Sequence, residues 1–156
     1  MSIDAPTCLA EVPALDAALR DGTLAVHASL PSVSRSVGDA LERIGEVPVL
    51  ATTADHALLT REMLDHVCDA AAESDADLLV GLVSERVIRA AYPETTRTYF
   101  SLRGDRWSGA NLFVFRTPAA RRATDFWQRA ERHRKQPWKL ASAIGLGALL
   151  LSLIHI

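Results

Sequence analysis

Cysteine is scarce in this chain. Cys8 and Cys68 stand alone, without a CxxC pair or any Cys/His spacing of a metal site, so they read as reduced thiols in a cytosolic protein. Aromatic residues make up only 6% of the chain, and its one basic run does not alternate with them as a nucleic-acid surface would. Internal repeats and low-complexity linkers are absent. The opening "MSIDAPTCLAEVP" lacks a basic region followed by an apolar stretch, so no signal peptide is expected.

What remains is an ordinary globular composition. The 156 residues suffice for about one domain with a real core, and 49% apolar against 23% charged residues is usual for one. Net charge is −2 but unevenly spread. Residues 116–139 hold eight Lys/Arg against two acids, leaving nine bases against seventeen acids elsewhere.

The end of the chain is different in kind. "LASAIGLGALLLSLIHI", residues 140–156, is nearly free of polar groups and follows the basic "RHRKQPWK". At face value this is a short membrane anchor with a positive flank, at the lower length limit for a span. A blander origin fits the last six residues. "LSLIHI" is one reading frame of CTG TCT CTT ATA CAC ATC, the end of a transposase adapter. The expectation is therefore a single α/β domain over residues 1–150 and a non-native tail over 151–156.

Strand-like and helix-like segments alternate along the chain. "LAEVPALDAALRDG" and "SVSRSVGDALERIG" read as helices, the second with serine caps and a glycine stop. "TLAVHAS" is a short β-type run between them. "VPVLATT" is a near-continuous apolar run, the pattern of a central strand covered on both faces. "LLTREMLDHVCDAAAES" carries a helical apolar stripe through Leu59, Met63, Val67 and Ala70/Ala71. "ADLLVGLVS" reads as a buried strand, and "SERVIRAAYP" as a short helix ended by Pro93. "TRTYFSLRGDRWSGANLFVFRT" reads as two extended stretches around a Gly-Asp turn, and Thr117-Pro118 as the cap and first turn of a last helix. Strands separated by such helices imply an α/β fold with mostly parallel pairing, mixed near the Gly-Asp turn.

In such sheets ligands gather at the carboxyl ends of the strands. Asp55 follows "VPVLATT" there and can hold Mg²⁺, a hard cation shared with substrate phosphates. Capping of the next helix explains Asp55 equally well. His56 reads as a polar loop residue, and the metal-capable atoms of "DHVC" match no common site spacing.

The segments "PVLATTADHALLTREMLDHV" and "YFSLRGDRWSGANLFVFRTPAARRATDFWQRAERHRKQPWKLA" resemble the MobA-like NTP-transferases, nucleotidyltransferases with a glycosyltransferase-A-type, Rossmann-like sheet. The resemblance covers residues 47–140 well and the first forty only by topology. It implies that Asp55 falls on the family's Mg²⁺-binding aspartate, although Ala57 stands where the family often has proline. It also implies that "SGANLFVF" is the later strand whose Gly109 and Asn111 approach the acceptor; a turn or β-bulge explains those two residues as well. The family's Gly-rich phosphate loop and a second metal aspartate have no counterpart here, which implies a chain clipped at both ends and inactive alone.

The implied activity is transfer of a nucleotidyl group from a nucleoside triphosphate to a small-molecule phosphate or hydroxyl acceptor, with Mg²⁺ and release of pyrophosphate. The run of Arg121, Arg122, Arg129, Arg132, Arg134, Lys135 and Lys139 can gather anionic substrate, with Arg122 and Lys135 the candidate contacts, or it is simply a solvated helix face. Phe126 and Trp127 read as core contacts. The expected location is cytoplasmic, with neither nucleic acid nor membrane as partner. The alternative is a non-catalytic domain held at a membrane surface by its basic, apolar C-terminus.

Overall fold

A computed structural model describes residues 1–3, 6–133 and 151–155, with side chains over 1–3 and 7–129. The described residues form two compact units. The first comprises Met1–Gly45 and the segment beginning at Arg121; the second comprises Glu46–Ala120 and a strand near the C-terminus.

In the first unit, β1 (Ser2–Ile3) and β2 (His27–Ala28) pair in parallel, so the β-type run there contracts to two residues. A 3-10 turn (Pro6–Glu11) leads into α1 (Pro13–Arg20). The helix α2 (Val33–Ile44) starts and stops where its sequence says. The Ser32 hydroxyl accepts the Arg35 amide, and Gly45 closes the helix at φ 74°, a conformation that costs glycine little. Gly38 lies where an added Cβ would sit 3.5 Å from the Thr124 hydroxyl on α5 (Arg122–His133), so the two helices pack closely. That last helix opens differently from the sequence expectation. A 3-10 turn (Pro118–Arg121) precedes it, and the Thr117 hydroxyl is given to the Asp77 carboxylate rather than to a cap.

The second unit is a five-stranded sheet. Its path is β3 (Val49–Thr52), β6 (Asp105–Phe115), β4 (Leu78–Ser84) and β7 (Leu151–His155), with β5 (Phe100–Leu102) also paired to β6. The α/β class holds, but predominantly parallel pairing does not. β6 runs antiparallel to β3, β4 and β5, while β4 and β7 are parallel. Chain reversal through a tight hairpin is the reason. Arg103 and Gly104, at φ 53° and 85°, form a two-residue turn of the kind that matches strand twist, and it returns β6 between the two strands the helices had set parallel. The turn is Arg-Gly, one residue earlier than Gly-Asp.

β3 is another correction. Its apolar run suggests a central strand, yet among the described residues it pairs on one side only, and its own residues are half-buried or exposed. β4 has the truly buried pattern, with Leu78, Leu79 and Leu82 at most 6% exposed. The helix α3 (Arg61–Glu73) lays Val67 and Ala71 against Leu79, Leu112 and Val114, with Leu50 and Leu64 at the margin. Between β4 and β5 lies α4 (Glu85–Ala91), capped by the Ser84 hydroxyl.

Leu151–His155 pair in parallel with β4, whose edge accepts an extended apolar segment of any origin through its backbone. Residues 140–150 lie outside the described ones. Among the described residues no helix is long and apolar enough to cross a membrane.

Candidate functional site

The end of β3 carries the candidate site. After Thr52 the chain turns tightly: the His56 amide donates to the Thr53 carbonyl at 3.3 Å, and the Leu59 amide to the His56 carbonyl at 3.0 Å. The helix that follows begins only at Arg61. Its cap is Thr60, whose hydroxyl accepts the Met63 amide at 3.3 Å. The Glu62 carboxyl in that first turn is held below its ordinary range by its own backbone amide and by the Thr60 hydroxyl. Asp55 therefore does not cap α3. It is exposed, and no side-chain hydrogen bond or ion pair engages it among the described residues. An aspartate freed from local structural work is available to a ligand. His56 is half-buried, and its Nδ1 is buried without a hydrogen-bond partner among the described residues.

The second strand of the site is β6. Val80 pairs with Phe113 and Leu82 with Gly109, so Ala110, Asn111 and Leu112 together oppose the single residue Gly81. This is a β-bulge, and Asn111 stands in it at φ 53°, a left-handed conformation that asparagine tolerates better than most residues. The bulge brings the Asn111 side-chain amide within 3.3 Å of the Thr53 hydroxyl, to which it donates. Thus Asp55 and Asn111, read as separate candidates, belong to one end of one sheet. Gly109 lies two residues from Asn111, and a Cβ built on it would meet nothing within 4 Å. Its lack of a side chain leaves open space rather than relieving a clash within the protein.

Arg97 was not singled out by sequence reasoning. Its Nε donates to the Ser108 hydroxyl at 3.2 Å and its Nη2 to the Gly109 carbonyl at 3.1 Å. No sequence signal pointed to it, since Arg97 sits in an unpatterned loop before β5. Arg122, by contrast, is exposed on α5 in the first unit, and Lys135 lies outside the described residues, as do Arg134 and Lys139. A groove of about 360 Å³ in the first unit is lined by charges of both signs, among them Arg35, Asp39, Glu42, Arg121 and Asp125, and includes no residue of the Asp55 group.

Among the described residues no group of three or more His, Cys, Asp and Glu could enclose a metal ion. At the end of β3 the described residues present the exposed Asp55 carboxylate to an ion. That suits an ion which keeps several waters and takes further ligands from substrate phosphates, and would not suit a protein-enclosed site.

The fold is similar to that of a hypothetical transferase from Thermus thermophilus, with a TM-score of 0.66 and 30% sequence identity, covering 80% of this chain and 53% of that protein. The chain thus spans about half the length of that relative. No family model matches the sequence. No curated protein matches it either. The likeness defines a transferase-like α/β fold.

Proposed function

We propose that this chain is part of a nucleotidyltransferase of the MobA-like kind, with Asp55 as a Mg²⁺ ligand at its active site. One observation carries the reading: Asp55 stands at a strand tip, unpaired and excluded from helix capping, beside the linked pair Thr53 and Asn111. Similarity to a transferase supports group transfer in general; the nucleotidyl chemistry comes from the sequence resemblance.

In the proposed reaction an oxygen of a small phosphate or hydroxyl acceptor attacks the α-phosphorus of a nucleoside triphosphate. A new P–O bond forms there while the bond to the departing pyrophosphate breaks, and a hydroxyl acceptor gives up its proton to solvent. Bound Mg²⁺ would offset charge on the phosphates. Asp55 would fix the ion's position, and the rigid sheet beneath would hold that carboxylate in place. Asn111 can donate to and accept from the acceptor, and Gly109 lets it approach the backbone. Arg122 and Lys135 would attract anionic substrate without touching the reacting atoms.

The test is metal binding read residue by residue. Mn²⁺, a paramagnetic substitute, should broaden the amide signals of residues 53–56 in the intact chain, and Asp55→Asn should abolish this. Unchanged broadening in the variant, or broadening confined to other residues, would remove the metal assignment.

A further inference from the structure

We propose that Arg97 docks a phosphate group of the substrate against the open backbone of Gly109. The inference rests on the transfer reading above and adds Arg97 to the Gly109 and Asn111 it already uses. Arg97 belongs to the loop between α4 and β5, yet its guanidinium is pinned to β6 by Ser108 and Gly109. Ser108 is only 4% exposed, so the anchor is firm. Two of its donors are used this way, and a guanidinium has five in a planar fork suited to phosphate oxygens.

The neighbouring arginines are differently engaged. Arg89 and Arg106 both bind Glu85, at 2.7 and 2.8 Å, and both lie over the Tyr99 ring. They share that one carboxylate, which compensates half of their joint charge. Arg97 is held by a hydroxyl and a carbonyl, and among the described residues no carboxylate pairs with it. Its positive charge is fixed in place without being neutralised. An arginine oriented by neutral acceptors keeps its attraction for an anion and has already lost the side-chain freedom that binding would otherwise cost.

Space and polarity agree. A Cβ built on Gly109 would meet nothing within 4 Å, and Asn111, two residues along the same strand, carries a side-chain amide that gives one N–H to Thr53 and has a second. The unpaired Asp55 carboxylate lies past Thr53 at this same sheet end, so a bare anion is drawn toward Arg97 and away from Asp55. Opposite open charges at one sheet end would orient a phosphate-bearing substrate.

The phosphate could belong to the acceptor or to the nucleotide, and two probes separate them. Inorganic phosphate stands for a monoester acceptor, and pyrophosphate with Mg²⁺ for the nucleotide. Each is titrated into the intact chain, following the amide signals of Gly109 and Asn111 and the Arg97 Nε–H signal. Phosphate is expected to shift all three, and Arg97→Gln to raise its apparent Kd about tenfold or more. Arg97→Lys should recover part of the affinity because it keeps the charge and loses the fork. Arg20→Gln, on α1 of the first unit where Arg20 pairs with Asp16, should leave it unchanged. Stronger Arg97-dependent shifts with Mg²⁺-pyrophosphate would assign the site to the nucleotide. Should Arg97→Gln lose its dispersed spectrum, the Arg97→Lys comparison decides. Shifts that persist undiminished in the folded variants, or that fall on α5 instead, would overturn the proposal. Failure of the Asp55 reading would show separately, in the Mn²⁺ broadening.

Discussion

Asn111 donates its side-chain amide to the Thr53 hydroxyl at 3.3 Å, joining residues 58 positions apart at the end of β3. The bond exists because the β6 bulge holds Asn111 at φ 53°. Backbone and side chain can be separated by substitution. Asn111→Gly removes the amide and keeps the conformation easy, while Asn111→Ala adds strain of about 1–2 kcal/mol. Urea denaturation should therefore find the alanine variant less stable than the glycine variant by about that amount. Equal stabilities would mean that the bulge relaxes.

Asp55 and Thr60 should respond in opposite ways. Asp55→Asn is expected to leave the melting temperature nearly unchanged, since Asp55 does not cap α3, while pyrophosphate release by the complete enzyme falls by orders of magnitude. Thr60→Ala removes the actual cap and should cost about 1 kcal/mol. An Asp55→Asn enzyme of normal activity would reduce Asp55 to a turn residue.

Leu112 is fully buried against α3 and β4. Leu112→Ala removes a large side chain where the surroundings cannot collapse freely, and should destabilise the second unit by about 2–5 kcal/mol. Hydrogen exchange can localise the loss, which should be greatest in β3, β4 and β6.

Stability should depend on Asp39 in acid. A hydrogen bond from Arg43 above all holds the Asp39 carboxyl below its ordinary value of 3.8, with His27 and Arg43 charges assisting. A carboxyl lowered by folding stabilises the folded state fully above its unfolded pKa, and loses that contribution as pH falls through the lower folded one. The difference in melting temperature between the natural chain and Asp39→Asn should shrink as pH falls below about pH 4. A difference that stays constant down to pH 2 would contradict this.

Deletion of 151–156 addresses the tail. If these residues are adapter-derived, removal should leave the thermal midpoint unchanged and solubility equal or better. A fall of several degrees would show instead that the pairing of β7 with β4 supports the sheet.

By itself the sequence determined the local elements. Serine at the start and glycine at the end of α2, the stripe of α3 and the apolar run of β4 are decided by neighbours within a few residues, so they are legible without a fold. It also marked Asp55, because a polar residue after an apolar run is a local signal. Partnership was decided only by tertiary structure. The apolar run of β3 says that it is buried in part, and cannot say on which side it pairs. The antiparallel return of β6 depends on a hairpin at Arg103 and Gly104, and the meeting of Asn111 with Thr53 on a bulge that the sequence offered as one reading without saying what it would bring together. The sequence left open whether Asp55 caps α3, and the position of Thr60 shows that it does not. Arg97 was invisible for the same reason. A lone arginine in a loop carries no periodic signal, and its place is set by Ser108 and Gly109, which only folding brings beside it.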